Sequence, residues 1–283
     1  MALKMKPDFV ESKLGLSTIY YLEGNLDKAE ALIAKANKLA EFDEAGYLNR
    51  AQIDSMTGKN RRAIDSLIPF IQQNKGRDQA ICLLGRCYIK QGDYARAQDV
   101  LKSSKTLLSN PYNRTFALTV MAELNLAQNK ADGAAKFLKE VNPTSLKNPE
   151  LLVDFARLNI LQRDYLAAAK YLDRAELVNK TSPWITLARA DISAAQGNTL
   201  MSDQYLQTCL EFKYQDPCLY AACARAYMQQ GNPAEAIKLA KRANAIDPTN
   251  LLALSILKNA SKPAPDRNET ARSSKPGGAD ASR

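Results

Sequence analysis

The chain contains no histidine. That absence removes the imidazole chemistries: no Ser-His-Asp or Cys-His nucleophile, no His-ligated zinc, and no unperturbed side chain that changes charge just below neutrality. Aromatic residues are also scarce, at 7% of 283 residues with a single tryptophan, so small aliphatic side chains must do much of the packing. No window approaches the run of about 18 apolar residues that a membrane span needs. A secretory leader needs an apolar stretch of roughly 7–15 residues, and Lys4, Lys6, Pro7 and Asp8 interrupt any such stretch at the N-terminus. Five cysteines, an odd number in a long chain, fit a reducing interior better than a disulfide framework. The expectation is a cytoplasmic protein, or a piece of a longer one whose targeting segment lies upstream.

What is present is a balance suited to folding: 46% hydrophobic and 24% charged residues, with a formal net charge of +9. The charge is uneven. Residues 59–105 carry ten basic residues against four acidic ones, whereas residues 1–58 carry seven against nine.

The glycines reveal a period. Gly24, Gly58 and Gly92 lie 34 residues apart, as do Gly197 and Gly231. Asn129 and Arg163 fill the two rungs between, once three extra residues are placed before Asn129. Seven places before each rung stands a small residue: Ser17, Ala51, Gly85, Ala122, Ala156, Ala190, Ala224. Five places after it stands another: Ala29, Ala63, Ala97, Ala134, Ala168, Ser202, Ala236. Apolar residues recur at helical spacing on both sides, so each unit reads as two antiparallel helices joined at the rung. Glycine there can take the positive φ that ends a helix, and a following Asn or Asp can cap the next one. Prolines 111, 149, 183, 217 and 248 fall between units, where the second helix must stop. Pro69 falls inside a second helix and predicts that it ends early or kinks. The linker Val141–Pro149 reads as loose.

This pattern resembles the tetratricopeptide-repeat family. The resemblance implies an all-α, right-handed α-solenoid of tandem antiparallel helix pairs spanning residues 8–260. Its repeats would run at about 10–43, 44–77, 78–114, 115–148, 149–182, 183–216 and 217–249, followed by a cap helix at 250–260. From residue 261 to 283 the composition turns to Ser, Pro, Gly, Asp and Arg, which predicts a disordered tail.

In the family the concave groove is lined by fixed positions of each first helix. Counted back from the rungs, one such position gives Thr18, Gln52, Arg86, Glu123, Arg157, Asp191 and Arg225, alternating in sign from Arg86 onward. Two readings stand: a self-satisfied chain of ion pairs between repeats, or a polar track that aligns an extended peptide. Phe116, Leu126, Val153, Ile160, Trp184 and Leu187 also map to the groove, either as packing between first helices or as anchors for a ligand. The family's clamp for chaperone C-terminal carboxylates is not matched: of the corresponding residues Leu14, Thr18, Asn49, Gln79 and Leu83, only the Asn agrees.

A basic patch is expected from Lys59, Arg61, Arg62, Lys75, Arg77 and Lys90, suited to an acidic protein partner; nucleic acid is disfavoured because several of these are ordinary turn residues. Cys82 with Cys87, and Cys218 with Cys223, are five apart and share no helical face well, so the thiols read as structural and no metal or cofactor is expected. No phosphate-cradling glycine loop or catalytic constellation occurs. The resemblance therefore implies a non-catalytic scaffold or adaptor that cradles a protein or peptide segment. Its short Gln/Asn/Lys-rich turns resemble those of bacterial members serving envelope, pilus, secretion or exopolysaccharide assembly. The alternatives are a regulatory segment of a larger enzyme or signalling protein, and a basic nucleic-acid or membrane-surface binder. The uncapped first repeat offers an edge on which a second copy could stack.

Overall fold

The structure is a computed structural model; it describes residues 10–23, 25–39, 44–73, 78–103, 108–109, 113–141, 148–211 and 215–260. The tail at 261–283, Lys75, Arg77 and most of the Val141–Pro149 linker lie outside the described residues.

Those residues form fifteen α-helices and no strand. In chain order they are α1 (Val10–Leu22), α2 (Leu26–Leu39), α3 (Glu44–Met56), α4 (Asn60–Gln73), α5 (Asp78–Lys90), α6 (Tyr94–Ser103), α7 (Arg114–Ala127), α8 (Ala131–Leu138), α9 (Pro149–Leu161), α10 (Tyr165–Val178), α11 (Pro183–Ala195), α12 (Thr199–Leu210), α13 (Pro217–Gln229), α14 (Pro233–Ile246) and α15 (Leu251–Ala260). They pack as seven antiparallel pairs, each odd-numbered helix up to α13 against the next, with α15 closing the series against α13 and α14. Each odd-numbered helix also packs on the following odd-numbered one, so these form the inner row of an α-solenoid. No described helix is long and apolar enough to cross a membrane.

The rungs do what the period requires. Gly58, Gly92, Gly197 and Gly231 have φ between 76° and 80°, and Asn129 and Arg163 adopt the same left-handed region at 58° and 63°. The residue after the rung then caps the next helix: Asp93 Oδ1 accepts from Arg96 N–H at 3.1 Å, Asp164 Oδ1 from Ala167 N–H at 2.9 Å, and Asn198 Oδ1 from Met201 N–H at 3.0 Å. Pro149, Pro183 and Pro217 open the next unit's first helix, where a missing N–H is harmless. The described small residues flanking the rungs are all buried. Gly85 shows why: a Cβ there would stand 3.0 Å from the Leu101 side chain. Leu67, Leu101, Leu138, Leu172 and Leu206, nine places after their rungs, fill the space between paired helices.

Pro69 does not end its helix. α4 continues four residues beyond it, to Gln73. Proline removes the hydrogen bond to the Asp65 carbonyl, but Asp65 and Pro69 are both on the exposed side of the helix, where water can take that carbonyl.

The array closes on itself. The turn after α5 meets the start of α15: Leu252 N–H donates to the Gln91 carbonyl at 3.2 Å, and Gln91 Nε2 donates to Asp247 Oδ2 at 3.0 Å. The turn after α3 meets the start of α13, where Asn60 Nδ2 donates to Cys218 Sγ at 3.2 Å. The Tyr94 side chain of α6 comes close enough to Arg225 of α13 to raise its pKa. The solenoid therefore encloses a lumen lined by its inner helices.

Two glycines separate backbone strain from the seam. At Gly231 a Cβ meets nothing within 4 Å, whereas at Gly92, with similar φ, it would sit 2.8 Å from Leu252 N. Gly231→Ala is expected to lower stability by about 1 kcal/mol from left-handed strain alone. Gly92→Ala should lower it more, by the clash at the seam, when both are unfolded in denaturant; equal losses would mean that the seam does not hold in solution. Arg163→Gly should raise stability by about 0.5–1 kcal/mol in the same assay, because it relieves that strain at an exposed site.

Candidate functional site

Helices α5, α7, α9, α11 and α13 each place one charged side chain six residues before the rung. Because the repeat brings equivalent faces into line, Arg86, Glu123, Arg157, Asp191 and Arg225 converge along the lumen. Arg86 is the most engaged. Its Nε donates to Glu123 Oε2 at 2.9 Å, its Nη1 reaches Glu150 Oε2 at 3.3 Å, and its guanidinium lies 4.8 Å from the centre of the Phe116 ring. Burial pulls its pKa down, but Glu123 and Glu150 outweigh burial and the net shift is upward. This end of the row is a satisfied ion-pair chain.

The rest of the row is not. Among the described residues, Arg157 makes no ion pair or hydrogen bond. Burial raises the Asp191 carboxyl against the pull of Arg225 and Arg157. Burial and the like charge of Arg157 lower the Arg225 guanidinium, against Asp191 and Tyr94. Two arginines thus share one carboxylate in a poorly solvated space.

Two hollows meet at Arg157, Asp191 and Arg225, which line both. The larger, about 490 Å³, lies toward the C-terminal ends of α9, α11 and α13; its charged lining is those three residues, and Asn129, Gln229 and Gln230 add amide groups. The smaller, about 120 Å³, lies toward the starts of α9 and α11. Trp184, Val153 and Leu187 form its apolar wall, and Glu123, Glu150 and Asp154 its acidic one.

Asp154 is the unexpected residue. It is 5% exposed, and its Oδ2 has no hydrogen-bonding partner. Burial first, then the neighbouring Glu123, pushes its pKa well above the usual carboxylate range, despite Arg157 and Arg86. An unsatisfied buried acceptor destabilises a fold by about 1–3 kcal/mol.

Of the sequence-derived groove residues, Arg86, Glu123, Val153, Arg157, Trp184, Asp191 and Arg225 line the hollows. Phe116 lies beneath Arg86 instead. Leu126 and Leu187 are buried, and each also borders a hollow. Glu150 and Asp154 were missed, although counting thirteen and nine places back from Arg163 reaches them. Lys90 sits two places before its rung and belongs to the lumen, where its Nζ donates to the Ser55 carbonyl at 3.0 Å; it does not join the expected basic patch. Of that patch, Lys59 pairs with Glu30 at 3.3 Å and Arg62 with Asp54, while Arg61 is exposed. The five cysteines are free and buried, and burial pushes Cys82 up to about 12 and Cys87 up to about 11, which keeps them as unreactive thiols. Among the described residues no cluster of three metal-ligating side chains occurs.

Comparison with known proteins agrees with the periodicity. The family model described as anaphase-promoting complex, cyclosome, subunit 3 matches residues 56–141, and that of the tetratricopeptide repeat matches residues 217–250. No curated protein matches the chain. Similar solved structures include a tetratricopeptide repeat protein from Parabacteroides merdae, at 16% identity and TM-score 0.48 over 89% of this chain and 99% of that one. Cut9 with Hcn1 from an APC/C hetero-tetramer is similar at 15% identity and TM-score 0.49, over 88% of this chain and 52% of that one. Pseudomonas aeruginosa pilF is similar at 15% identity and TM-score 0.41, over 75% and 96%.

The energetics of Asp154 are directly measurable. It holds its proton more tightly folded than unfolded, so the stability it permits at low pH is lost as pH rises above about 4, where the unfolded carboxyl ionises. Asp154→Asn should remove that loss: near-equal melting to the unaltered chain at pH 4, and a gain of about 1 kcal/mol by pH 7. A lower melting temperature for Asp154→Asn at pH 7 would contradict the assignment.

Proposed function

From the premise that this chain is a member of the tetratricopeptide-repeat family, whose proteins generally mediate protein–protein interactions, we propose that it is a non-catalytic adaptor that holds an extended segment of a partner protein in its lumen. The observation that carries this reading is the convergence of Arg157, Asp191, Arg225 and Trp184 from three inner helices on two joined hollows. An extended peptide needs such a continuous track: polar groups at intervals to fix its register, and an aromatic wall to bury a side chain. The absence of histidine and the inert, buried thiols support a binding role over a chemical one. The engagement of Lys59, Arg62 and Lys90 with protein oxygens favours a peptide in the lumen over a nucleic acid on the outer surface. A cytoplasmic setting and a place in a bacterial assembly machinery belong to the same proposal, supported by the free thiols and by the short Gln-, Asn- and Lys-rich turns.

The test is a random peptide library displayed on phage and selected on the immobilised full chain. Binders should lose roughly tenfold or more in affinity on Trp184→Ala or Arg157→Ala. They should be indifferent to Leu177→Ala, an exposed position bordering neither hollow. Recovery of no binders, or of binders equally tight to all three variants, would overturn the reading.

A further inference from the structure

Resting on the groove reading above, we propose that the smaller hollow is a pocket for a basic side chain, lysine or arginine, of the bound segment, with the Asp154 carboxyl as its acceptor and Trp184 as its wall.

The argument is one of charge and shape. Three carboxylates, Glu123, Glu150 and Asp154, face this hollow from α7 and α9. Arg86 from α5 is taken by the first two, at 2.9 Å and 3.3 Å. Lys90 has its ammonium on the Ser55 carbonyl at 3.0 Å. Arg157, one turn beyond Asp154, also faces Asp191 at the junction of the two hollows. Asp154 is left with an acceptor atom, Oδ2, that nothing meets and that bulk water does not reach. An acceptor in that state takes a donor, and among protein side chains the donors that also carry the compensating charge are lysine and arginine. The apolar part of the lining suits their stems. Trp184, Val153 and Leu187 supply apolar surface for a methylene chain, and Trp184 is the ring available to a cationic head. An acidic or C-terminal carboxylate would instead meet four carboxylates here, Asp191 being the fourth; its place is the larger hollow, whose charged lining is Arg157, Arg225 and Asp191 alone. The lumen is therefore electrically directional, and a bound segment has a preferred orientation.

The pocket carries a proton linkage. Burial and Glu123 hold the Asp154 proton, against Arg157 and Arg86, with Glu150 adding to its retention. A cation seated on the carboxyl drives that proton off, so affinity rises with pH.

The phage selection tests this separately from the groove reading. Expected is one position of the selected peptides occupied by lysine or arginine. A synthetic selected peptide with that residue replaced by norleucine should bind the unaltered chain roughly tenfold or more weakly. Asp154→Asn should weaken the parent peptide by a similar factor, leave the norleucine peptide unchanged, and abolish the rise in affinity between pH 5 and pH 8. Peptides that depend on Trp184 and Arg157 but show no basic position, or that ignore both norleucine and Asp154→Asn, would overturn the pocket and leave the groove reading standing. Recovery of no lumen-dependent peptide would overturn both. The norleucine comparison uses the unaltered chain and so decides the matter even if Asp154→Asn proves unstable.

Discussion

Close approach of helix backbones is the constraint on which everything else depends. At seven places before and five after each rung the side chain is Ala, Ser or Gly, and the described examples are buried. With a larger residue at these crossings the paired helices would separate, as the 3.0 Å approach to Leu101 at Gly85 shows. Tight pairing lets the leucines nine places after the rungs fill the space between helices. It also fixes the small rotation from one pair to the next. Repetition of that rotation curves the inner row until the starts of α13 and α15 meet the turns after α3 and α5.

Closure changes the environment of the inner face. On an open solenoid the side chains six places before the rungs would stand in water, where an ion pair contributes little. Inside a closed lumen the same residues lose solvent, and each charge must find a partner or be perturbed. Arg86, Glu123 and Glu150 find one another. Asp154, Asp191 and Arg225 are shifted away from their charged forms by burial. The fold thus holds satisfied and strained charges side by side in the lumen, and the strained Asp191 and Arg225 border both hollows. That asymmetry makes the lumen a candidate for recognition rather than an inert core.

Much of this was legible in the residues. The glycine period placed the turns, and even Arg163, an awkward residue for a left-handed rung, took the conformation its position required. The offsets found the small crossing residues and the alternating charged row. Counting applied to one position per unit identified Arg157 and Asp191 but passed over Asp154 and Glu150, which the same frame contains. Lys90 was read with its basic neighbours in sequence, although its offset from Gly92 turns it inward. Pro69 did not end its helix, because the carbonyl it leaves unpaired is on the exposed side, which a rule about helix interiors ignores.

The sequence by itself determined the repeat, the helix pairing, the rung geometry and the identity of the inner face, because these follow from contacts between residues at most one period apart. Only the tertiary structure decided that the array closes and which lumen charges are satisfied. Those outcomes depend on contacts such as Gln91 with Asp247 and Asn60 with Cys218, more than 150 residues apart. They arise from small rotations summed over seven pairs, and no local spacing in the chain records that sum.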